Sequence, residues 1–448
     1  MARWIDDRLG ASAFTQAALN KVFPDHWSFM IGEIALYSFV VLVVTGVFLS
    51  LFFDPSSGEI VYRGSYEPLQ GREVSRAYAS VLELSFDVRA GLVMRQIHHW
   101  AAIVFVAALI VHLCRVFFSG AFRRPREINW MIGVTLLILG IFNGFTGYSL
   151  PDDLLSGTGL RIAYSIALSI PVIGTWMAFL VFGGEFPAEG IIGRLLVTHI
   201  MIVPAALGAL IGAHLAILWR QKHTDFRQRG RTESNVVGSK LWPTYTVKSL
   251  GLFFGVFAIL AALGGLVQIN PVWIYGPFHP EQVSSPAQPD WYLGWVEGAL
   301  RLFPAWEIRA FGYEVPNPFF PAVLLPGVTF MLLYAWPFLE AFFGRDHDPH
   351  HLLDRARDHP VRTALGAATL TFYIVLFFAA SNDLLALWLT APVEMITAAY
   401  RILALTLPPI VGLATHRVMT ALAASGVDRF GHMPLRALRS RDSARDVP

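Results

Sequence analysis

A single cysteine, Cys114, stands in 448 residues. Disulfides within the chain are thereby excluded, as is any metal site built from several thiolates. Cys114 lies two residues from His112, about 200° further round a helix, so it faces away from that histidine as a small filler. Charge is scarce too: Asp, Glu, Lys and Arg make up 15% of the chain, against about 25% in a soluble protein. The net charge of +2 gives no reason to expect nucleic acid as a partner, because the bases sit in particular loops. No cleavable signal peptide is visible. Residues 1–28 mix Arg3, Asp6, Asp7, Arg8, Lys21 and Asp25 with Trp4, Ile5, Leu9 and Phe14 and read as an amphipathic segment on a membrane lipid surface.

Apolar residues are what the chain has in excess: 55% of it is hydrophobic and the mean hydropathy is +0.52. Eight long apolar segments predict an all-α membrane protein with eight transmembrane helices, at about 29–53, 91–118, 128–150, 191–219, 247–267, 319–343, 361–380 and 393–418. The seventh is the least sharply bounded. The segment after residue 220 is polar and basic, with Gly230 and Gly238. The expected organisation is an amphipathic segment (1–28), a four-helix half (29–219), a linker (220–246), a second four-helix half (247–418) and a basic tail (419–448).

Loop charge orients the helices. Residues 54–91, 151–190 and 270–318 carry net charges of −2, −3 and −3. Residues 115–127, 220–248 and the tail from His416 carry +3, +5 and +3. The loop between the sixth and seventh segments is balanced and does not vote. Both termini are therefore expected in the cytoplasm, with the acidic loops outside. The outer loops at 151–190 and 270–318 are long for simple connectors, and 160–170 and 172–182 look like short helices on or dipping into the membrane.

Two histidine pairs stand in this frame. His98 and His112 are 14 residues apart in the second segment; His199 and His214 are 15 apart in the fourth. Fourteen residues is close to four helical turns and a rise of about 21 Å, so the members of a pair share a face some two thirds of a hydrocarbon core apart. The second and fourth helices both run from outside to inside and are parallel, which sets His98 level with His199 and His112 level with His214. A lone histidine on an apolar helix is most often a packing residue. Four at matched depth suit two bis-histidine haems better than zinc. Gly32 and Gly46 on the first helix and Gly133 and Gly147 on the third repeat the 14-residue period, as close approach of a flat macrocycle requires; ordinary helix packing by small residues is the plain alternative. Arg95, Arg115 and Arg194 lie within five residues of a histidine near the membrane edge, placed for haem propionates or for snorkelling to headgroups.

Pro289-Asp290-Trp291-Tyr292 lies in the long outer loop before the sixth helix. A carboxylate such as Asp290 near the membrane can accept a proton and hand it on, and Tyr292 offers a phenol for hydrogen bonding. Alone, the tetrapeptide reads as an interfacial aromatic anchor.

Together, over roughly residues 25–420, these residues resemble cytochrome b of the bc1 and b6f complexes. The tetrapeptide matches that family's Pro-Glu-Trp-Tyr motif, with Arg301 and Pro304 following. Gly147-Tyr148-Ser149-Leu150-Pro151 matches its Gly-Tyr-x-Leu-Pro, and Pro243 to Lys248 resembles its inner-site segment. The resemblance implies two haems b, an outer low-potential one on His98 and His199 and an inner high-potential one on His112 and His214. It implies a quinol:cytochrome c reductase subunit, active only within its complex. Quinol would be oxidised outside, with electrons passing through the haems to an inner quinone site in a proton-translocating Q-cycle of the respiratory chain. The implied partners are a Rieske iron–sulfur protein, a c-type cytochrome, a second copy of the chain as a homodimer, and a terminal oxidase in a supercomplex.

The departures are informative. Asp290 is one methylene shorter than the family's Glu. Pro204 lies five residues after His199, where the mitochondrial pattern has four, so a distorted turn just before it is where the extra residue is absorbed. The 15-residue spacing occurs in b6f-type and Gram-positive members. The loop from Asp152 to Gly159 resembles the actinobacterial, menaquinol-oxidising form in a bacterial plasma membrane. Ser249 stands where many relatives have an inner-site aspartate; Glu33, with Lys248 and Ser249, is the candidate inner quinone site. A split chain with a haem-tethering cysteine, as in b6f, is disfavoured. The competing readings are a haem b membrane anchor of another quinone-linked oxidoreductase, which would be shorter, and a colourless proton-coupled transporter.

Overall fold

The computed structural model describes residues 2–282, 288–310 and 312–425. Among them, eight helices are long and apolar enough to cross a bilayer. They are α1 (Trp27–Ser50), α2 (Gly91–Phe118), α3 (Glu127–Tyr148), α4 (Ile191–Gln221), α5 (Leu241–Leu266), α6 (Phe320–Gly344), α7 (Pro360–Ala379) and α8 (Val393–Ala424). Their bounds differ from the expected segments by a few residues. Residues 426–448 of the expected tail lie outside the described residues. Large apolar side chains such as Val44, Val47, Phe254 and Leu405 stay exposed on these helices, as a lipid-facing surface demands.

Helix α2 is the centre of the first bundle: it packs against α1, α3 and α5, while α4 lies on α3. A buried apolar layer of Ala35, Phe105, Val106 and Leu137 crosses it. Phe105 is seven residues from each histidine of α2, so this layer separates the two histidine levels. Helix α5, counted by sequence with the second half, is seated against α1 and α2 of the first. Helices α7 and α8 pair, and α6 touches α3. The linker is fastened rather than free. Asp225 exchanges backbone hydrogen bonds with the α6–α7 loop, its N–H to the His351 carbonyl (3.1 Å) and its carbonyl from the Leu353 N–H (2.8 Å). The Glu233 carboxylate accepts from the N–H groups of His351 and Leu352 at 2.5 and 2.9 Å.

Helix α4 is not uniform. Thr198–Ile202 forms a π-helical turn, closed by the Val203 N–H on the Thr198 carbonyl. A π turn holds one residue more than an α turn. It absorbs the fifteenth residue of the His199–His214 interval and delivers Pro204 into the first turn of the regular helix Val203–Gln221, where a missing N–H costs little.

The outer loops carry their own structure. Glu59–Val61 pairs antiparallel with Glu73–Ser75, and behind this hairpin Tyr62, Tyr78, Leu82 and Val272 form a buried cluster. The Tyr78 hydroxyl donates to the Val272 carbonyl at 3.1 Å, tying the first outer loop to the third. The first short helix of the second outer loop spans Leu154–Leu168. It starts earlier than the apolar pattern indicated because Asp153 and Ser156 cap it reciprocally: the Asp153 carboxylate accepts the Leu155 N–H (3.1 Å) and the Ser156 hydroxyl accepts the Asp153 N–H (3.0 Å). The second spans Gly174–Phe182.

Candidate functional site

The four histidines meet in two pairs across α2 and α4. His98 faces His199 with ring centroids 6.1 Å apart and planes at 69°; His112 faces His214 at 6.4 Å and 71°. A metal–imidazole bond is about 2 Å long, so two imidazoles on opposite sides of one metal have ring centres about 6 Å apart. At the outer level the hydrogen bonds also choose the tautomer. The Thr45 hydroxyl donates to the Val41 carbonyl at 2.7 Å and so accepts from His98 Nδ1–H at 2.9 Å. His199 Nδ1–H donates to the Asn143 carbonyl at 3.0 Å. Both Nε2 atoms therefore keep a lone pair for a metal.

Each expected glycine lies against one ring. A methyl group at Gly32 would sit 3.1 Å from His112 Cε1, at Gly46 3.2 Å from His98 Cε1, and at Gly133 3.8 Å from His214 Cε1; at Gly147 it would overlap the His199 ring. The glycines of α1 serve the histidines of α2, and those of α3 serve α4, level by level.

Two of the three arginines bring open donors. Arg95 Nη2 donates to the Asn270 carbonyl at 2.9 Å, while its Nη1 is buried without a partner. Arg115 stacks 4.4 Å over the Phe29 ring, and its Nε and Nη2 are likewise buried and unpaired. Buried guanidinium donors at each level suit a carboxylate group of a bound macrocycle. Arg194 is placed differently: it is exposed and donates to the Leu180 carbonyl at 3.0 Å. A cavity of about 360 Å³ opens at the outer pair, lined by Arg95, His98, His199, Gly46 and Gly147 but not by Arg194. These histidines, glycines and two arginines fit a haem at each level.

The outer tetrapeptide divides between two cavities. Asp290 and Tyr292 line the first, together with His99. His99 Nε2 is 3.0 Å from Asp290 Oδ1, and the buried Tyr292 hydroxyl donates to Oδ2 at 2.9 Å. Pro289 lines a second cavity of about 340 Å³, with Phe145, Tyr148, Trp295 and Glu297. Trp291 packs on the apolar layer. Tyr148 borders both cavities. Glu297 accepts from Arg301 Nε at 2.9 Å, and Arg301 reaches on to Asp383 at 3.0 Å. Burial pushes the Glu297 carboxyl up, against the pull of Arg301. The sequence assigns no role to His99 or Glu297 and shows Tyr148 only as part of Gly147–Pro151. The doubling of His98 by His99 and the four-residue step from Glu297 to Arg301 were the available signals.

At the inner level, Glu33 follows Gly32, the residue that lies against the His112 ring. Its carboxylate receives the hydroxyls of Tyr245, Ser249 at 2.8 Å and Tyr37 at 3.1 Å. Tyr37 and Ser249 are also hydrogen-bonded to each other. Lys248 stands apart, paired with Asp25 at 2.7 Å. Tyr37 is one turn beyond Glu33 on α1, and Tyr245 falls within the quoted Pro243–Lys248 segment; neither was singled out.

Residues 103–277 match the family described as cytochrome b (N-terminal)/b6/petB. The chain is 54% identical over 414 residues to the cytochrome bc1 complex cytochrome b subunit of Mycobacterium tuberculosis, covering 92% of this chain and 75% of that protein. It is 47% identical over 432 residues to the subunit of the same name from Streptomyces coelicolor, covering 96% and 79%. Among solved structures, a chain of a hyperthermophilic respiratory Complex III superposes with a TM-score of 0.68 at 20% identity, over 93% of this chain and all of that one, a likeness of fold.

Proposed function

The chain belongs to the cytochrome b subunits of the cytochrome bc1 complex, and from that premise we propose how its residues divide the work. It is a multi-pass membrane protein and the cytochrome b subunit of a quinol:cytochrome c reductase. His98 and His199 hold an outer haem b and His112 and His214 an inner one. Gly46 and Gly147 make room at the outer level, and Gly32 and Gly133 at the inner. Arg95 and Arg115 turn their open donors to the propionates; Arg194, engaged at Leu180, plays no part in this. Bound haem supplies one-electron transfer between the two quinone sites.

The protein's own part is to bind quinol and move protons. Quinol occupies the outer cavity lined by Pro289, Tyr148 and Glu297, and its proton passes by Tyr148, which borders both cavities, to Asp290 in the first. Tyr292 and His99 hold the short Asp290 carboxylate in place. Trp291 fixes the loop by packing. Quinone is reduced at the inner level by electrons arriving through the haems, where Glu33, Ser249 and, from the rim, Lys248 bind it and handle its protons. The quinone is menaquinone, a reading supported by the identity with actinobacterial relatives. The partners are a Rieske protein and a c-type cytochrome, with a second copy of the chain and a terminal oxidase beyond them. Both termini lie on the cytoplasmic side of a bacterial plasma membrane, a reading supported by the basic loops.

The single observation carrying this reading is the pair of histidine contacts at 6.1 and 6.4 Å, each flanked by glycine. The purified complex is expected to show split b-type α-bands and two haems b per chain, with menaquinone on extraction. His98→Ala should remove the outer haem and spare the inner. A colourless chain, or one whose haem content ignores His98→Ala, overturns it.

A further inference from the structure

The inner hydrogen-bonded group contains more than a carboxylate. Glu33, Tyr37, Ser249 and Tyr245 come from α1, α5 and the turn that opens α5, and their side chains make four oxygen–oxygen contacts: Tyr245 with Glu33, Ser249 with Glu33, Tyr37 with Glu33, and Tyr37 with Ser249. The hydrogens can be counted. With Glu33 ionised there are three, one on each hydroxyl, and all point inward: Tyr245 to Oε1, Ser249 to Oε2, Tyr37 to Oε2 or to Ser249. With Glu33 protonated there are four. The new hydrogen on Oε2 bonds Ser249, the Ser249 hydrogen turns to Tyr37, and the Tyr37 hydrogen is released to an acceptor outside the group. Tyr245 is not released in this way. Its only contact in the group is Glu33, and its ring is stacked on Phe23 at 4.5 Å.

We propose that Tyr37 is the proton donor to the inner quinone and that it is recharged from Glu33 through Ser249. This rests on the reading of the inner level as the quinone-reducing site. The balance closes on groups in hand. The electrons are those the reductase delivers. The Tyr37 O–H bond breaks and its proton joins the quinone oxygen; the Ser249 proton passes to Tyr37 and the Glu33 proton to Ser249. The net change is one proton gained by the quinone and a carboxylate left at Glu33. That carboxylate takes its next proton from the water beside Asp25 and Lys248, a pair exposed at that rim.

The test uses the purified complex and follows reoxidation of the inner haem by quinone. Tyr37→Phe keeps the ring and leaves Glu33 its bonds from Ser249 and Tyr245. It should slow reoxidation about a hundredfold, the usual size of a general-acid contribution, with haem content and inner-haem potential unchanged. Ser249→Ala leaves only the longer direct contact of Tyr37 with Glu33, at 3.1 Å, for recharging, and should slow it several-fold, less than Tyr37→Phe does. Tyr245→Phe removes an anchor of Glu33 but no step of the relay, and should slow reoxidation at least about tenfold less than Tyr37→Phe does. A parent rate in Tyr37→Phe or in Ser249→Ala overturns the proposal, as does a loss in Tyr245→Phe as large as in Tyr37→Phe. If Tyr37→Phe fails to assemble, Ser249→Ala decides. A parent complex without inner haem or quinone reduction overturns the underlying reading instead.

Discussion

A methyl group is enough to test the glycine–histidine contacts one at a time. Gly46→Val places its side chain on the His98 ring, where even a Cβ stands 3.2 Å from Cε1. It should lower haem per chain by about half while sparing the inner site. Gly133→Ala has 3.8 Å to His214, an ordinary contact, and should keep both haems; haem assay against protein distinguishes the two. A second residue-scale test concerns Asp354, which gathers Arg123 (2.9 Å), Arg227 (3.3 Å), His359 (3.0 Å) and Arg362 (2.8 Å). Burial works to raise its carboxyl, but the His359 hydrogen bond and the charges of Arg123 and His359 win and hold it well below the usual range. A depressed folded value means its stabilisation is full above the ordinary carboxylate pKa of about 3.9 and is lost as pH falls below that. Asp354→Asn, which removes the buried negative charge that three guanidinium groups face, should cost about 3–5 kcal/mol at neutral pH. The gap in Tm between parent and variant, measured in detergent, should narrow as pH drops below about 4. At this scale the sequence is legible for residue types and poor for partners. Two histidine pairs, 14 and 15 residues apart, announce themselves. That Glu33 answers Ser249, 216 residues away, and Asp290 answers His99, 191 away, depends on how helices pack and leaves no local pattern.

The π turn in α4 carries an element-scale prediction. Deleting Met201, an exposed residue inside Thr198–Ile202, should restore an α turn and keep His199 and His214 on one face, so both haems remain. Deleting Ala206, beyond Pro204, leaves the π turn and turns His214 about 100° from its partner; the inner haem should be lost. Spectra of the two deletion variants separate these outcomes. The eight spans could be read from apolar length, and the spacing of Pro204 from His199 located the irregular turn. Hydropathy could not give the start of Leu154–Leu168. That start is set by Asp153 and Ser156, polar residues whose capping role depends on their hydrogen bonds.

For the molecule as a whole, the decisive property is that α2 and α4 run the same way, which pairs 98 with 199 and 112 with 214. Loop charge alone implied this, because acidic and basic loops alternate strictly in the first half. The seating of α5 on α1 and α2 was not legible, since lipid-facing and helix-facing apolar residues look alike in sequence. The expected behaviour of the isolated chain follows. It should bind haem and show b-type bands, yet reduce no cytochrome c until the other subunits are added back, because one cysteine furnishes neither an iron–sulfur cluster nor a c-type attachment. Cytochrome c reduction by the isolated chain would contradict it.

The bond from Tyr78 to the Val272 carbonyl has a consequence for biosynthesis. Its two ends are separated by 194 residues, and α5, which flanks α1 and α2, is the last span made before the second end emerges. A ribosome that has delivered the first four spans has therefore not yet supplied the helix that flanks α1 and α2 or the carbonyl that Tyr78 bonds. The nascent bundle thus passes through an interval in which all four histidines have been made while the α5 contact and the Tyr78–Val272 bond have not.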